Sequence, residues 1–255
     1  MGDVLLVACG GGANSTVSNA EDLWSIPMVV ISKTGGTIAA GDTEALRKSM
    51  RNYRVVIPFL IMGGEVGTGI VRDVITCARN EDCKVVSVLG IPPMMEADRR
   101  ERALSNLSDV VALSDCSLVF DMQKAIELFL EAYKDRKYDY FFRKIDRMIM
   151  MSIDSIVSML DGPFFTIFSE KMYAFASYND VLALNAVKKA WDSMLFDNNT
   201  TKGSCIIMVS SHLTTSEIEG IRNDVVMEYG IMPEILRSTD PDDTRVIVFK
   251  AVNSF

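Results

Sequence analysis

Glycine lets a backbone come closest to a ligand, and this sequence concentrates it in two places. Gly10-Gly11-Gly12-Ala13-Asn14 follows the apolar run at 4–8, and Gly63-Gly64-Glu65-Val66-Gly67-Thr68-Gly69 follows the run at 55–62. A helix opening behind such a turn offers free N–H groups and the positive end of its dipole, which is the chemistry of anion and phosphate binding. One turn of this kind is as often a mere tight turn; two, each at the carboxyl end of a strand, favour a phosphate site. Neither is a P-loop, because no Gly-Lys-Ser/Thr closes it. A dinucleotide fingerprint also fails. Ser15 stands in place of its third small residue, and Ser32-Lys33 end the second strand where an acid belongs, so NAD is a poor fit. Further along, Asp146 sits among the apolar positions of a helical stretch, where a carboxylate needs a partner. Phe142 on the same stripe reads as core, and Glu96 and Arg100, four apart, read as a solvated ion pair. With His212 the only histidine, a His/Cys zinc site and a Ser-His-Asp triad both lack their usual members.

The elements that must carry these residues follow from periodicity. Short apolar runs at 4–8, 28–31, 55–62, 84–89 and 117–120 alternate with helical spacing at 68–80 and 97–111, the pattern of a parallel sheet flanked by helices. A helical period then holds from 138 to 160 until Asp161-Gly162-Pro163 stops it, a helix of roughly 35 Å at ~1.5 Å per residue. Beyond it, strands at 172–177, 205–210 and 245–252 and helices near 180–195 and 216–229 predict a smaller α+β unit. The expected organisation is 1–137, 138–161 and 162–255.

Composition removes several classes of function. At 255 residues, with 49% hydrophobic and 24% charged residues, the chain is neither disordered nor a coiled-coil rod. Its formal charge of -8, from 26 Lys+Arg against 34 Asp+Glu, argues against nucleic acid as a partner. Five cysteines without CxxC spacing read as buried thiols of a reducing cytosol. Leu6-Val7-Ala8-Cys9-Gly10 looks like a lipoprotein cleavage box, but no Lys or Arg precedes it and the apolar run is short, so it reads as a buried strand. No apolar stretch approaches the roughly 20 residues of a membrane span. The expectation is a cytoplasmic protein without direct membrane insertion.

Taken in order, the motifs resemble those of the tubulin and FtsZ superfamily. The turn at 63–69 is similar to that family's G-G-G-T-G-T/S-G signature, and 10–14 resembles its G-G-x-G-x-N diphosphate loop shortened by about a residue. Pro93-Met94-Met95-Glu96-Ala97-Asp98-Arg99-Arg100 looks like F-x-x-E-G-x-x-R, and Phe142-Arg143-Lys144-Ile145-Asp146 resembles F-x-x-x-D at the start of the family's central helix. The resemblance implies an α/β fold: a Rossmann-like parallel-sheet GTP-binding domain, a long central helix and a smaller α+β activation-like domain. It implies GTP or GDP as ligand, held by Gly10, Gly11, Gly12, Asn14, Gly63, Gly64, Gly67, Thr68 and Gly69. Glu96 would contact ribose, Arg100 would face the phosphates, Phe142 would stack on guanine and Asp146 would accept from its N1-H and amino group. Only guanine offers two adjacent donors to one carboxylate.

Departures from the pattern bear on activity. The family's N-x-D-x-x-D loop, which positions the attacking water over the next subunit's nucleotide, corresponds here to Phe165-Thr166-Ile167-Phe168-Ser169-Glu170 and keeps an acid only at Glu170. Phosphoryl transfer depends on positioning and charge stabilisation, so hydrolysis is expected to be slow or absent. Glu65 stands where the family has glycine, and Mg²⁺ bridging it to the phosphates would offset roughly 1–4 kcal/mol of repulsion at about 4 Å. The last strand is followed closely by Phe255, so a tail for membrane-tethering partners is not expected. Three readings remain open: a GTP-dependent filament former with weak GTPase activity, assembled head to tail; a non-hydrolysing nucleotide switch or scaffold, with Phe165, Ile167 and Phe168 packing an interface; and a nicotinamide-dependent oxidoreductase.

Overall fold

In β1 (Val4–Cys9) every residue is buried, and alternate side chains enter two different cores. Val4, Leu6 and Ala8 pack on one face of the sheet, Leu5, Val7 and Cys9 on the other, as the two-residue period of a strand requires. Such a strand must be covered by helices on both faces. The computed structural model describes residues 3–23, 26–33, 36–64, 67–132, 138–160, 164–196, 203–238 and 245–252, and shows that arrangement.

The remaining elements are α1 (Gly10–Ser18), β2 (Met28–Ser32), β3 (Ile38–Ala39), α2 (Thr43–Met50), β4 (Val55–Ile61), α3 (Gly67–Asn80), β5 (Lys84–Ile91), α4 (Ala97–Leu113), β6 (Cys116–Asp121), α5 (Met122–Ala132), α6 (Tyr138–Val157), α7 (Phe164–Ile167), β7 (Met172–Tyr178), α8 (Ala183–Asp192), β8 (Cys205–Val209), α9 (Thr215–Tyr229), β9 (Pro233–Arg237) and β10 (Val246–Ala251). Among the described residues they form one sheet of order β3-β2-β1-β4-β5-β6-β7-β10-β8-β9. From β3 to β7 all pairs are parallel; β10 runs antiparallel to both β7 and β8.

One core joins the sheet to α1, α5 and α6, a second joins its other face to α2, α3 and α4, and a third lies under α8 and α9. The two halves expected from the sequence thus share a sheet: β7 pairs with β6 in register Ser117↔Met172. Past Val119 the two strands part, and Leu195 enters the gap. Its N–H donates to the Phe175 carbonyl at 3.3 Å, and its carbonyl accepts from the Asp121 N–H at 2.6 Å. The central helix α6 spans 20 residues, or roughly 30 Å, and Ser158 to Leu160 follow it as a turn. All five cysteines are free and buried. No described helix is long and apolar enough to cross a membrane.

Candidate functional site

The order β3-β2-β1-β4-β5-β6 reverses direction between β1 and β4, and ligands of open α/β sheets bind outside the carboxyl ends of the strands at such a switch point. Both glycine turns lie there. Gly10 enters α1 at φ +83, directly after Cys9, and no side chain caps the helix. The first N–H groups of α1 therefore lack an intrahelical or side-chain acceptor. The start of α3 lies beside it: a Cβ built on Gly10 would sit 3.9 Å from the Gly67 Cα. Two helix N-termini converge on one spot, and their dipole ends reinforce each other toward an anion.

The glycines divide by what surrounds them. A Cβ on Gly11, Gly64 or Gly69 would meet nothing within 4 Å, so bare backbone faces open space there. On Gly12 it would touch the Ile61 side chain at 3.0 Å, and on Gly67 the Leu60 side chain at 2.8 Å. Gly63 has φ +78, and a Cβ there would lie 1.9 Å from the Arg99 carbonyl oxygen. That glycine is required by packing of the turn on α4. Asn14 is half-buried and Thr68 half-exposed, and neither side chain has a hydrogen-bond partner among the described residues. Glu65, with the Mg²⁺ role expected of it, lies outside the described residues. Among those described, no group of three or more His, Cys, Asp or Glu is placed to hold a metal ion.

Asp146 is 6% exposed and its carboxylate is held by α1. The Thr16 hydroxyl donates to Oδ1 and Asn19 Nδ2 to Oδ2, each at 2.7 Å. Burial holds this carboxyl above its ordinary range, against the pull of the two hydrogen bonds. Thr16 lies roughly 9 Å along α1 from Gly10, so the carboxylate is held beside the second turn of that helix rather than at the glycine turn itself. Phe142, half-buried, packs against the first core. Next to Asp146, Arg147 Nη1 donates to both Asp22 oxygens at 2.8 and 3.1 Å and secures α6 to the segment after α1.

Of the pair expected at ribose and phosphate, Glu96 is ion-paired with Arg99. Arg100 reaches Asp121 instead: Nη1 donates to Oδ1 at 2.8 Å and Nη2 to Oδ2 at 2.5 Å, while Nη1 also donates to the Pro92 carbonyl at 2.8 Å. The hydrogen bond to Asp121 raises the Arg100 pKa further above its ordinary value. The arginines that grip the second glycine turn are Arg102, whose Nε donates to the Gly63 carbonyl at 3.0 Å, and Arg99, whose Nη2 donates to the Met62 carbonyl at 3.4 Å. Thr16, Asn19, Asp121 and Arg102 carry no motif in the sequence. Only the amphipathic placement of Asp146 signalled that a polar partner had to exist.

Glu170 is exposed and lies at the other edge of the sheet. Ser117 N–H donates to the Lys171 carbonyl at 2.8 Å, which places the start of β7 beside the start of β6, roughly 17 Å of strand from Asp121. No single copy brings Glu170 to its own glycine turns. In the loop before it, Phe164 and Phe168 are core, and Phe168, one of the three residues expected at an interface, is thereby enclosed within the chain. Phe168 is 3% exposed, stacked on Phe164 with ring centroids 4.1 Å apart and set edge-on to Phe249 and Tyr173 at 5.0 Å. Phe165 and Ile167 are half-buried against the same core. His212 lies in the turn between β8 and α9, its N–H donating to the Ser210 hydroxyl at 3.3 Å.

A cavity of about 480 Å³ lies between α5, α6 and the end of β7, lined by Leu128, Phe129, Met148, Tyr178 and Leu195 among others. Its lining includes no residue of either glycine turn.

No family model matches this sequence, and no curated protein matches it. Its fold has solved counterparts. An empty FtsZ dimer from M. jannaschii matches with a TM-score of 0.72 and 16% identity, covering 100% of this chain and 89% of the other. A tryptophan-to-tyrosine mutant of FtsZ from M. jannaschii matches at 0.71 and 15%, over 99% and 91% of the two chains. CetZ from Methanosaeta thermophila strain DSM 6194 matches at 0.68 and 13%, over 99% and 87%. Identity this low establishes the fold alone, but over the whole length: the chain has the tubulin/FtsZ-like fold.

Proposed function

We propose that the protein binds a guanine nucleotide at the carboxyl edge of β1 and β4, with the phosphates against the first turns of α1 and α3 and the base toward Asp146. The observation that carries this reading is the convergence of two helix N-termini at Gly10 and Gly67, on a fold matched by FtsZ and CetZ over nearly the full length. GTP or GDP, set in place by these groups, is the ligand; Mg²⁺ is left to titration. Because Glu170 lies at the opposite edge, hydrolysis requires a second copy stacked head to tail, a heterologous contact of the filament-forming kind. The setting is the cytoplasm, with neither nucleic acid nor the bilayer interior as partner. A calorimetric panel of GTP, GDP, ATP and NADH tests the reading: guanosine nucleotides should bind at least tenfold more tightly than the other two, and preference for NADH would replace it with the oxidoreductase reading.

A second reading, a nucleotide-dependent switch or scaffold without turnover, is favoured by the loop at 164–170. Phe164 and Phe168 are committed to the core, and one acid is little to position water with. Nucleotide binding with no phosphate release at any protein concentration would select it.

A further inference from the structure

Arg100 is the one arginine of the α4 start whose guanidinium turns away from the glycine turn. Arg99 and Arg102 on either side grip the carbonyls of Met62 and Gly63, whereas Arg100 makes a two-pronged pair with Asp121 at 2.8 and 2.5 Å. The pair is substantially buried, with side-chain exposures of 20% and 9%. It lies at the same sheet edge as the glycine turns, two strand spacings or about 10 Å from the end of β4. Asp121 is itself fixed: Oδ1 accepts the Gln123 N–H at 2.8 Å, and its own N–H donates to the Leu195 carbonyl at 2.6 Å. The carboxylate cannot follow the arginine if the arginine moves.

We propose that Asp121 is a specificity-determining residue that withholds Arg100 from the nucleotide's terminal phosphate and so levels the affinities for nucleoside triphosphate and diphosphate. The inference rests on the nucleotide reading given above. A γ-phosphate could recruit Arg100 only by breaking a charge-assisted, two-pronged pair in a half-buried place, and would leave Asp121 as a buried charge without its partner. A diphosphate makes no such demand. The extra negative charge of the triphosphate therefore goes uncompensated by Arg100.

The test uses the full chain with GTP and GDP as probes, titrated by calorimetry, and arginine side-chain ¹⁵N NMR of Arg100. In the wild type, GTP and GDP should bind within about threefold of each other, and the Arg100 signals should stay put when either is added. Asp121→Asn keeps the shape and one acceptor but removes the charge; it should favour GTP over GDP by about tenfold more than the wild type does, with Arg100 signals that shift for GTP and not for GDP. If the substitution impairs folding, the wild-type spectrum still decides, since an Arg100 shift specific to GTP would overturn the proposal. An unchanged GTP:GDP ratio in folded Asp121→Asn would overturn it as well. Absence of binding by either nucleotide to the wild type would instead remove the reading on which it rests.

Discussion

Thr16 of α1 donates a hydrogen bond to Asp146 of α6 at 2.7 Å, across 130 positions of sequence. With Asn19 on the other oxygen, about half of the carboxylate's roughly four acceptor sites remain. A base offering two adjacent donors is the ligand that would use them. Asp146→Asn should weaken GTP binding by at least tenfold without improving ATP binding, as read by competition with a fluorescent guanosine nucleotide; unchanged discrimination would assign Asp146 to packing alone.

The same carboxylate sets a pH dependence of stability. Its folded-state pKa is raised from the ordinary value of 3.8 by burial, so the folded chain keeps a proton that the unfolded chain has already lost. Stability from this group is present below that ordinary value and declines as pH rises through the folded one. Relative to Asp146→Asn, the wild type should gain stability in urea unfolding as pH is lowered from neutrality toward the ordinary carboxylate range. The opposite trend would mean that the Thr16 and Asn19 hydrogen bonds outweigh burial.

Gly11 and Gly63 should respond differently to alanine. At Gly63 the positive φ and the Arg99 carbonyl make Gly63→Ala costly, by about 1–3 kcal/mol from backbone conformation alone. At Gly11 the space is open and alanine is the better helix former, so Gly11→Ala should hold stability within about 1 kcal/mol while lowering GTP affinity at least tenfold. Urea unfolding and nucleotide titration on the two variants separate these effects. Loss of binding in neither would place the nucleotide elsewhere.

Phe168→Ala should destabilise the fold by about 3–5 kcal/mol, since its ring is enclosed by Phe164, Tyr173 and Phe249. Phe165, half-buried with Lys84 Nζ over its ring at 5.7 Å, should cost much less. Denaturation midpoints compare the two directly. Equal losses would show that the loop is core throughout.

Because the glycine turns and Glu170 occupy opposite edges, mixing is informative. Glu170→Gln subunits carry an intact nucleotide site and Gly11→Ala subunits an intact Glu170. Each variant alone should show at least tenfold less phosphate release than the wild type, and an equimolar mixture should recover part of it through the one junction that unites both. No recovery would argue against a site shared between copies.

The strands were legible because buried parallel strands are continuous apolar runs: 4–8, 84–89 and 117–120 reappear as β1, β5 and β6 with one or two residues added. Less visible was α1, whose first three residues are glycines, poor helix formers that read as a turn; the helix forms because Ala13 and Val17 bury against the core. The edge strand β9, half-exposed and irregular in polarity, gave no period. Asp146 could be recognised by its place on an apolar stripe, but its partners Thr16 and Asn19 could not, since contact between α1 and α6 is a product of the whole topology. The pairing of Arg100 with Asp121 was hidden for the same reason: spacing four apart pointed to Glu96, and the aspartate that takes the arginine ends a strand on the other side of α4.

The most direct measurement is GTP binding and phosphate release across a wide range of protein concentration, with light scattering on the same samples. The account predicts tight, guanine-selective binding, with any phosphate release rising more steeply than protein concentration and in step with scattering. Failure to bind guanine nucleotide at any concentration would contradict it.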